Sequence, residues 1–192
     1  MKKILLCIVS VLFAVSAIAQ SEHLSFKGVP IDGTLDQYVA KMKAAGFTYL
    51  GQQDGTALLQ GDFAGFKGCT VGVSTLKSVN VVSTIGVIFP EQNDWASLEN
   101  QYNQLKSMLT QKYGAPSDCV EEFQGYGRPQ TDNDKLFRLQ MDECTWYTTF
   151  TTPKGDIQLS IDNQSVMSCF VLLRYFDKIN TDAVRQQAMD DL

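Results

Sequence analysis

Val79-Asn80-Val81-Val82-Ser83-Thr84-Ile85-Gly86-Val87-Ile88-Phe89 is the stretch whose reading decides the fold. Taken two at a time, Val79, Val81, Ser83, Ile85, Val87 and Phe89 share one face and are mostly apolar, the period of a strand with one buried side. Cys69, Val71 and Val73 alternate in the same way just before it. Turn signals at Asp54-Gly55, Gly65 to Gly68 and Lys77-Ser78 cut residues 47–89 into four strands. Asp54-Gly55 is the strongest hairpin turn, because both residues tolerate positive φ. Connections this short argue against a parallel sheet, whose crossovers need about a dozen residues or more.

Working outward from these strands, the period changes. Thr34 and Gln37 have capping-box spacing, and Leu35, Tyr38, Val39, Met42 and Ala45 recur on one helical face until Gly46 stops the helix. Before it, His23 to Val29 reads as a short extended segment closed by the turn Pro30 to Gly33. A longer helix is predicted from Asp94 to Tyr113. Trp95, Leu98, Tyr102, Leu105, Leu109 and Tyr113 form its buried stripe, and Glu99, Gln101, Gln104, Lys106 and Gln111 its wet face.

The pattern then returns: a strand over 118–123, an irregular stretch with Gly125, Gly127 and Pro129, a short helix near Asp134 to Leu139, and strands over 143–151, 157–161 and 167–176. The prediction is α+β, with a long, curved, mainly antiparallel sheet of seven or eight strands and two helices on one face. It would consist of two helix-plus-four-strand halves, about 34–89 and 94–176, that share no alignable residue pattern. A loosely docked helix follows over about 180–191.

The full chain of 192 residues has a net charge of −5, with 44% hydrophobic and 19% charged residues, so it has the apolar content that disordered chains lack. Lys2-Lys3, the apolar run Ile4 to Val15 and Ala17-Ile18-Ala19 read as a cleavable signal peptide over 1–19. The run is too short for a membrane-spanning helix. Removing 19 residues, Lys2 and Lys3 among them, leaves 173 residues at −7, read as a single domain over 20–192 in the periplasm or secreted. Scattered Lys and Arg on an acidic chain argue against nucleic acid and, after cleavage, against membrane insertion.

Cys69, Cys119, Cys144 and Cys169 remain after cleavage, and an even number in an exported chain reads first as disulfides. A ladder that sets Cys119 opposite Cys144 would leave Cys69 for Cys169; the alternative is that these last two are small buried hydrophobes. Zinc spacing is absent: there is no C-x-x-C, and the single His23 is remote in sequence from every cysteine. Asp132-Asn133-Asp134 lacks the glycine and closing glutamate of a calcium loop, so no metal or cofactor is expected. His23 falls near the mature terminus, which argues against a histidine-based nucleophile. The same ladder would set Glu121 opposite Asp142, a carboxylate pair of the kind a glycosidase uses. Tyr126 and Arg128, with Asp132 and Asp134 beyond them, form the most irregular and aromatic surface segment and are the candidate binding residues.

Phe26-Lys27-Gly28-Val29-Pro30-Ile31-Asp32-Gly33-Thr34-Leu35, Ala44-Ala45-Gly46-Phe47, Tyr175-Phe176-Asp177-Lys178-Ile179-Asn180 and the Ala-Ile-Ala-Gln cleavage region resemble a group of small exported proteins of gut Bacteroidetes-type bacteria. That resemblance rests on turns, helix stops and strand ends, and it brings no activity and no site residues with it. The repeated helix-plus-four-strand arrangement is also similar, at the level of fold alone, to secreted β-lactamase-inhibitor-like proteins. The function expected is a non-enzymatic exported binding module for a protein or glycan. The alternative is a carboxylate-dependent hydrolase of envelope or dietary glycans through Glu121 and Asp142.

Overall fold

Thr34 and Gln37 do what their spacing predicts. The Thr34 hydroxyl accepts the Gln37 N–H, and the Gln37 side chain accepts the Thr34 N–H, starting helix α1 (Leu35–Ala44). At its far end Gly46 takes φ 94°, so its N–H reaches the Lys43 carbonyl and the Phe47 N–H the Met42 carbonyl. This double closure turns the chain into the sheet. Preceding α1 is a small hairpin, β1 (Ser25–Phe26) and β2 (Val29–Pro30). The segment expected to be extended is thus folded back at Lys27-Gly28, both at positive φ, as a two-residue hairpin turn requires.

The computed structural model describes residues 22–76, 80–165 and 168–190. The expected signal peptide over 1–19, the turn at Lys77-Ser78 and the start of the strand at Val79 lie outside the described residues. After α1 come β3 (Thr48–Gln53), β4 (Thr56–Phe63), β5 (Phe66–Thr75) and β6 (Val82–Ile88), then α2 (Trp95–Tyr113) and β7 (Asp118–Phe123). They are followed by α3 (Asp132–Gln140), β8 (Cys144–Thr152), β9 (Gly155–Ser165), β10 (Ser168–Asp177) and α4 (Lys178–Asp190). Strands β3 to β10 form one antiparallel sheet in the order β3-β4-β5-β6-β10-β9-β8-β7, open at both edges. The fold is α+β, as the periodicity indicates, and β6 and β10 join the two runs of four strands.

Register aligns one residue from every strand of this sheet: Tyr49, Leu59, Val71, Val87, Leu173, Leu159, Thr148 and Cys119. The six inner members are buried and belong, Thr148 apart, to one apolar cluster that includes Tyr38 and Met42 of α1 and Trp95, Leu98, Tyr102 and Leu105 of α2. Burying such side chains contributes roughly 1.5–3 kcal/mol each, so this row and its neighbours drive folding. Gln101, expected on the wet face of α2, is also buried. It stands one turn before Leu105, at the border of the stripe, and a core-facing stripe is wider than its strictly apolar positions.

The cysteine pairings are overturned. All four described cysteines are free thiols. Helix α3 is followed by a turn in which Glu143 N–H bonds the Arg138 carbonyl, so β8 starts only at Cys144, which pairs with Phe123. Cys119 therefore faces Thr148, and an offset of four positions places Cys144 about 13 Å further along the strand. Cys69 on β5 and Cys169 on β10 have all of β6 between them, about 9.5 Å across the sheet, beyond disulfide reach. They are the buried small hydrophobes of the alternative reading.

At the end of β10 the segment before the first hairpin is tied to the start of α4. Asp177 has no exposed side-chain surface. One carboxylate oxygen accepts the Leu24 N–H at 2.7 Å; the other accepts the Asn180 N–H at 3.1 Å and meets His23 Nδ1 at 2.9 Å. The Asn180 amide in turn donates to the carbonyls of Ile31 and Val82 at 3.1 and 2.9 Å. His23 is thus held rather than trailing, and the first turn of α4, expected to dock loosely, is buried at Asn180. Asp177→Ala would leave two buried N–H groups without acceptors. Urea denaturation is expected to show a loss of about 2–4 kcal/mol, with faster hydrogen exchange at Leu24 and Asn180.

Candidate functional site

Thr148 is the one polar side chain inside the apolar row, and it has no exposed surface. Its hydroxyl is hydrogen-bonded to the Tyr102 hydroxyl and lies 3.3 Å from Cys119 Sγ. Tyr102 also donates to Glu121 Oε1 at 3.1 Å, and Lys106, one turn further along α2, forms an ion pair with the same oxygen. Lys106 Nζ lies 3.3 Å from Cys119 Sγ. Five polar groups from α2, β7 and β8 thus close the wet end of the row.

Burial alone would push the Glu121 carboxyl up. The hydrogen bond and charge of Lys106, helped by Cys119 and Tyr102, bring it below its ordinary value. Burial likewise pulls Lys106 down, and Glu121 and Cys119 more than offset it, so its pKa ends raised. Burial drives the Tyr102 hydroxyl well above its usual range.

Beside this cluster Trp95, Phe123 and Trp146 pack as a trio, with ring centroids 4.9 to 5.3 Å apart. Outside it opens a groove of about 410 Å³ lined by Glu121, Glu122, Phe123, Arg128, Pro129, Lys135 and Trp146. The Trp146 indole N–H is buried, with no hydrogen-bond partner among the described residues.

The loop over 124–130 borders this groove, and its shape is imposed by α3. Arg138 donates to the carbonyls of Gln124 and Tyr126, at 3.2 and 2.6 Å, and pairs with Glu143. Gly125, at φ 88°, passes so close that a Cβ there would lie 2.1 Å from the guanidinium and force it to move. Tyr126 is left fully exposed at 102%.

Of the four candidate binding residues, the structure leaves Tyr126 and Arg128 exposed on one loop, Arg128 on the groove wall. Asp132 and Asp134 are instead the first turn of α3, which begins earlier than expected because Thr131 is its N-cap. Asp134 accepts the N–H groups of Thr131 and Gln130, which hold its carboxyl below the ordinary value. Asp132 lies 3.3 Å from Lys135.

The carboxylate pair is not formed across the ladder. Glu121 faces Trp146, and Asp142 lies in the turn before β8 at φ 58°. A general acid needs a raised pKa, and Lys106 moves Glu121 the other way. The residues that sequence reasoning missed are Tyr102, Lys106 and Thr148, assigned to core, water and strand. Their signal was phase: Thr148 falls between Trp146 and Phe150 on the buried side of the alternation.

Comparison of the chain with family models, with curated proteins and with solved structures finds no match.

Two expectations follow. Without reductant, in denaturant, iodoacetamide should modify Cys69, Cys119, Cys144 and Cys169 alike, as read by peptide mass spectrometry. Glu121→Gln should cost less than about 1 kcal/mol at pH 7, since the ion pair is a third exposed. A depressed carboxyl stabilises above its unfolded value and ceases to do so as pH falls through the folded one. The difference between variant and wild type should therefore shrink below pH 4.5, the ordinary value, in denaturation curves taken at several pH values.

Proposed function

We propose that the protein is an exported, non-enzymatic binding domain that holds a glycan in the groove between β7, α3 and the 124–130 loop. The observation that carries this reading is the lining of that groove. Phe123 and Trp146 offer apolar ring faces, Arg128 and Lys135 donors, and Glu121 and Glu122 acceptors. A sugar presents the same mixture: an apolar ring face with hydroxyls that both donate and accept. Tyr126 supplies a further exposed ring, on a backbone fixed by Arg138, so little order has to be gained on binding. Export is supported by the basic start, the apolar run and the small residues of 1–19.

We further infer that α1 and α2 cover one face of the sheet. It is supported by the shared apolar cluster of α1 and α2, while Thr56, Thr70, Ser74, Thr84, Thr149 and Gln158 of the alternate register stay partly exposed.

A protein partner is the second reading, favoured by one observation: a fully exposed Tyr126 and an exposed Arg128 are residue types that anchor interfaces. A glycan array probed with the labelled chain tests the first. Binding is expected, with affinity falling about tenfold or more in Arg128→Ala and in Tyr126→Ala. Absence of any glycan signal, or signals unchanged in both variants, would sink the groove reading.

A further inference from the structure

Among the described cysteines, three are shielded from chemistry. Cys69 and Cys169 are buried, and burial raises their thiol pKa values. Cys144 is half-buried, and burial with the charge of Asp162 pushes it up to about 12. Cys119 differs in its placement. It stands exposed on β7, the edge strand of the sheet. Around its sulfur are an ammonium at 3.3 Å, a hydroxyl at 3.3 Å and a carboxylate at 3.4 Å, supplied by Lys106, Thr148 and Glu121. These groups arrive from three elements and are themselves fixed, Thr148 by Tyr102 and Lys106 by Glu121.

Such a setting has the parts that a thiol needs to react with a peroxide: an acceptor for the thiol proton, and donors placed where negative charge develops. We propose that Cys119, with Lys106, Thr148 and Glu121, is a peroxide-reactive modification site at which the thiol is converted to a sulfenic acid.

In the step, the Cys119 thiol proton passes to the Glu121 carboxylate. The sulfur lone pair attacks one oxygen of hydrogen peroxide; the S–O bond forms and the O–O bond breaks. Hydroxide leaves, takes a proton from the Lys106 ammonium and departs as water, and the proton on Glu121 returns to Lys106. Sulfur is oxidised by two electrons and the peroxide is reduced by two, so thiol and hydrogen peroxide give sulfenic acid and water. The Lys106 ammonium and the Thr148 hydroxyl, each 3.3 Å from the sulfur, are the hydrogen-bonding groups at hand for the new oxygen. This inference does not depend on the glycan reading.

The test uses the whole purified chain, reduced and desalted, then treated with hydrogen peroxide in the presence of dimedone, which traps sulfenic acids. Mass spectrometry of the peptides carrying Cys69, Cys119, Cys144 and Cys169 follows each thiol, and glutathione in the same tube serves as an unassisted exposed thiol. Cys119 is expected to be trapped about tenfold faster than glutathione, with the other three lagging far behind. Lys106→Gln should bring Cys119 down to the glutathione rate, and Lys106→Arg should retain most of the acceleration. Trapping of Cys119 no faster than glutathione would overturn the proposal, a result that needs no variant to fold. So would an undiminished rate in a folded Lys106→Gln protein.

Discussion

A carboxylate with no exposed surface is costly to bury unless both of its oxygens are met, and at Asp177 they are met by groups more than 150 positions apart in the sequence. Leu24 and His23 come from the segment before the first hairpin, and Asn180 from the helix after the last strand. Because Asn180 then bonds Ile31 and Val82, the knot also holds the approach to α1 and the entry to β6. β6 and β10 are the strands at which the two runs of four meet. Hydrophobic burial drives the collapse of this sheet, and these directional bonds, each about 1 kcal/mol net or somewhat more, fix which ends come together.

The row that runs across all eight strands is asymmetric at its two edges. At one edge it finishes at Tyr49, a half-exposed aromatic ring; at the other it passes through Thr148 to Cys119. Placing a threonine in an otherwise apolar layer demands a partner for its hydroxyl, and the Tyr102 hydroxyl of α2 answers. Tyr102 in turn brings Glu121, and Glu121 brings Lys106. A single polar substitution in the pattern of one strand thus organises a charged cluster at the sheet's edge.

Much of the fold was legible because it is local. Thr34 with Gln37, Gly46 and the alternation from Cys69 to Val73 each dictate a short piece of backbone whatever the rest of the chain does. The β7–β8 ladder was not legible. Its register depends on where α3 ends, and that depends on Thr131 capping a helix whose acids read as loop residues. Slipping the register removed the Cys119–Cys144 and Glu121–Asp142 pairs at once, since both assumed the same ladder. The exposure of Tyr126 and Arg128 was legible because residues beside glycines in an irregular stretch stand out in sequence. Lys106 and Thr148 were missed because their meeting is a matter of distance in space. His23 and Asp177, 154 positions apart, left no signal at all.

Arg138 grips the 124–130 loop by its backbone carbonyls, not by the side chain at its tip. The loop's outline is therefore written in α3 and in the glycines, and residue 126 can change identity without disturbing the frame that displays it. On the proposed binding reading, a surface so arranged separates shape from specificity: the scaffold stays whole, while one outward position is free to vary. Such modularity is what allows a fold to be reused for different targets through small changes in sequence.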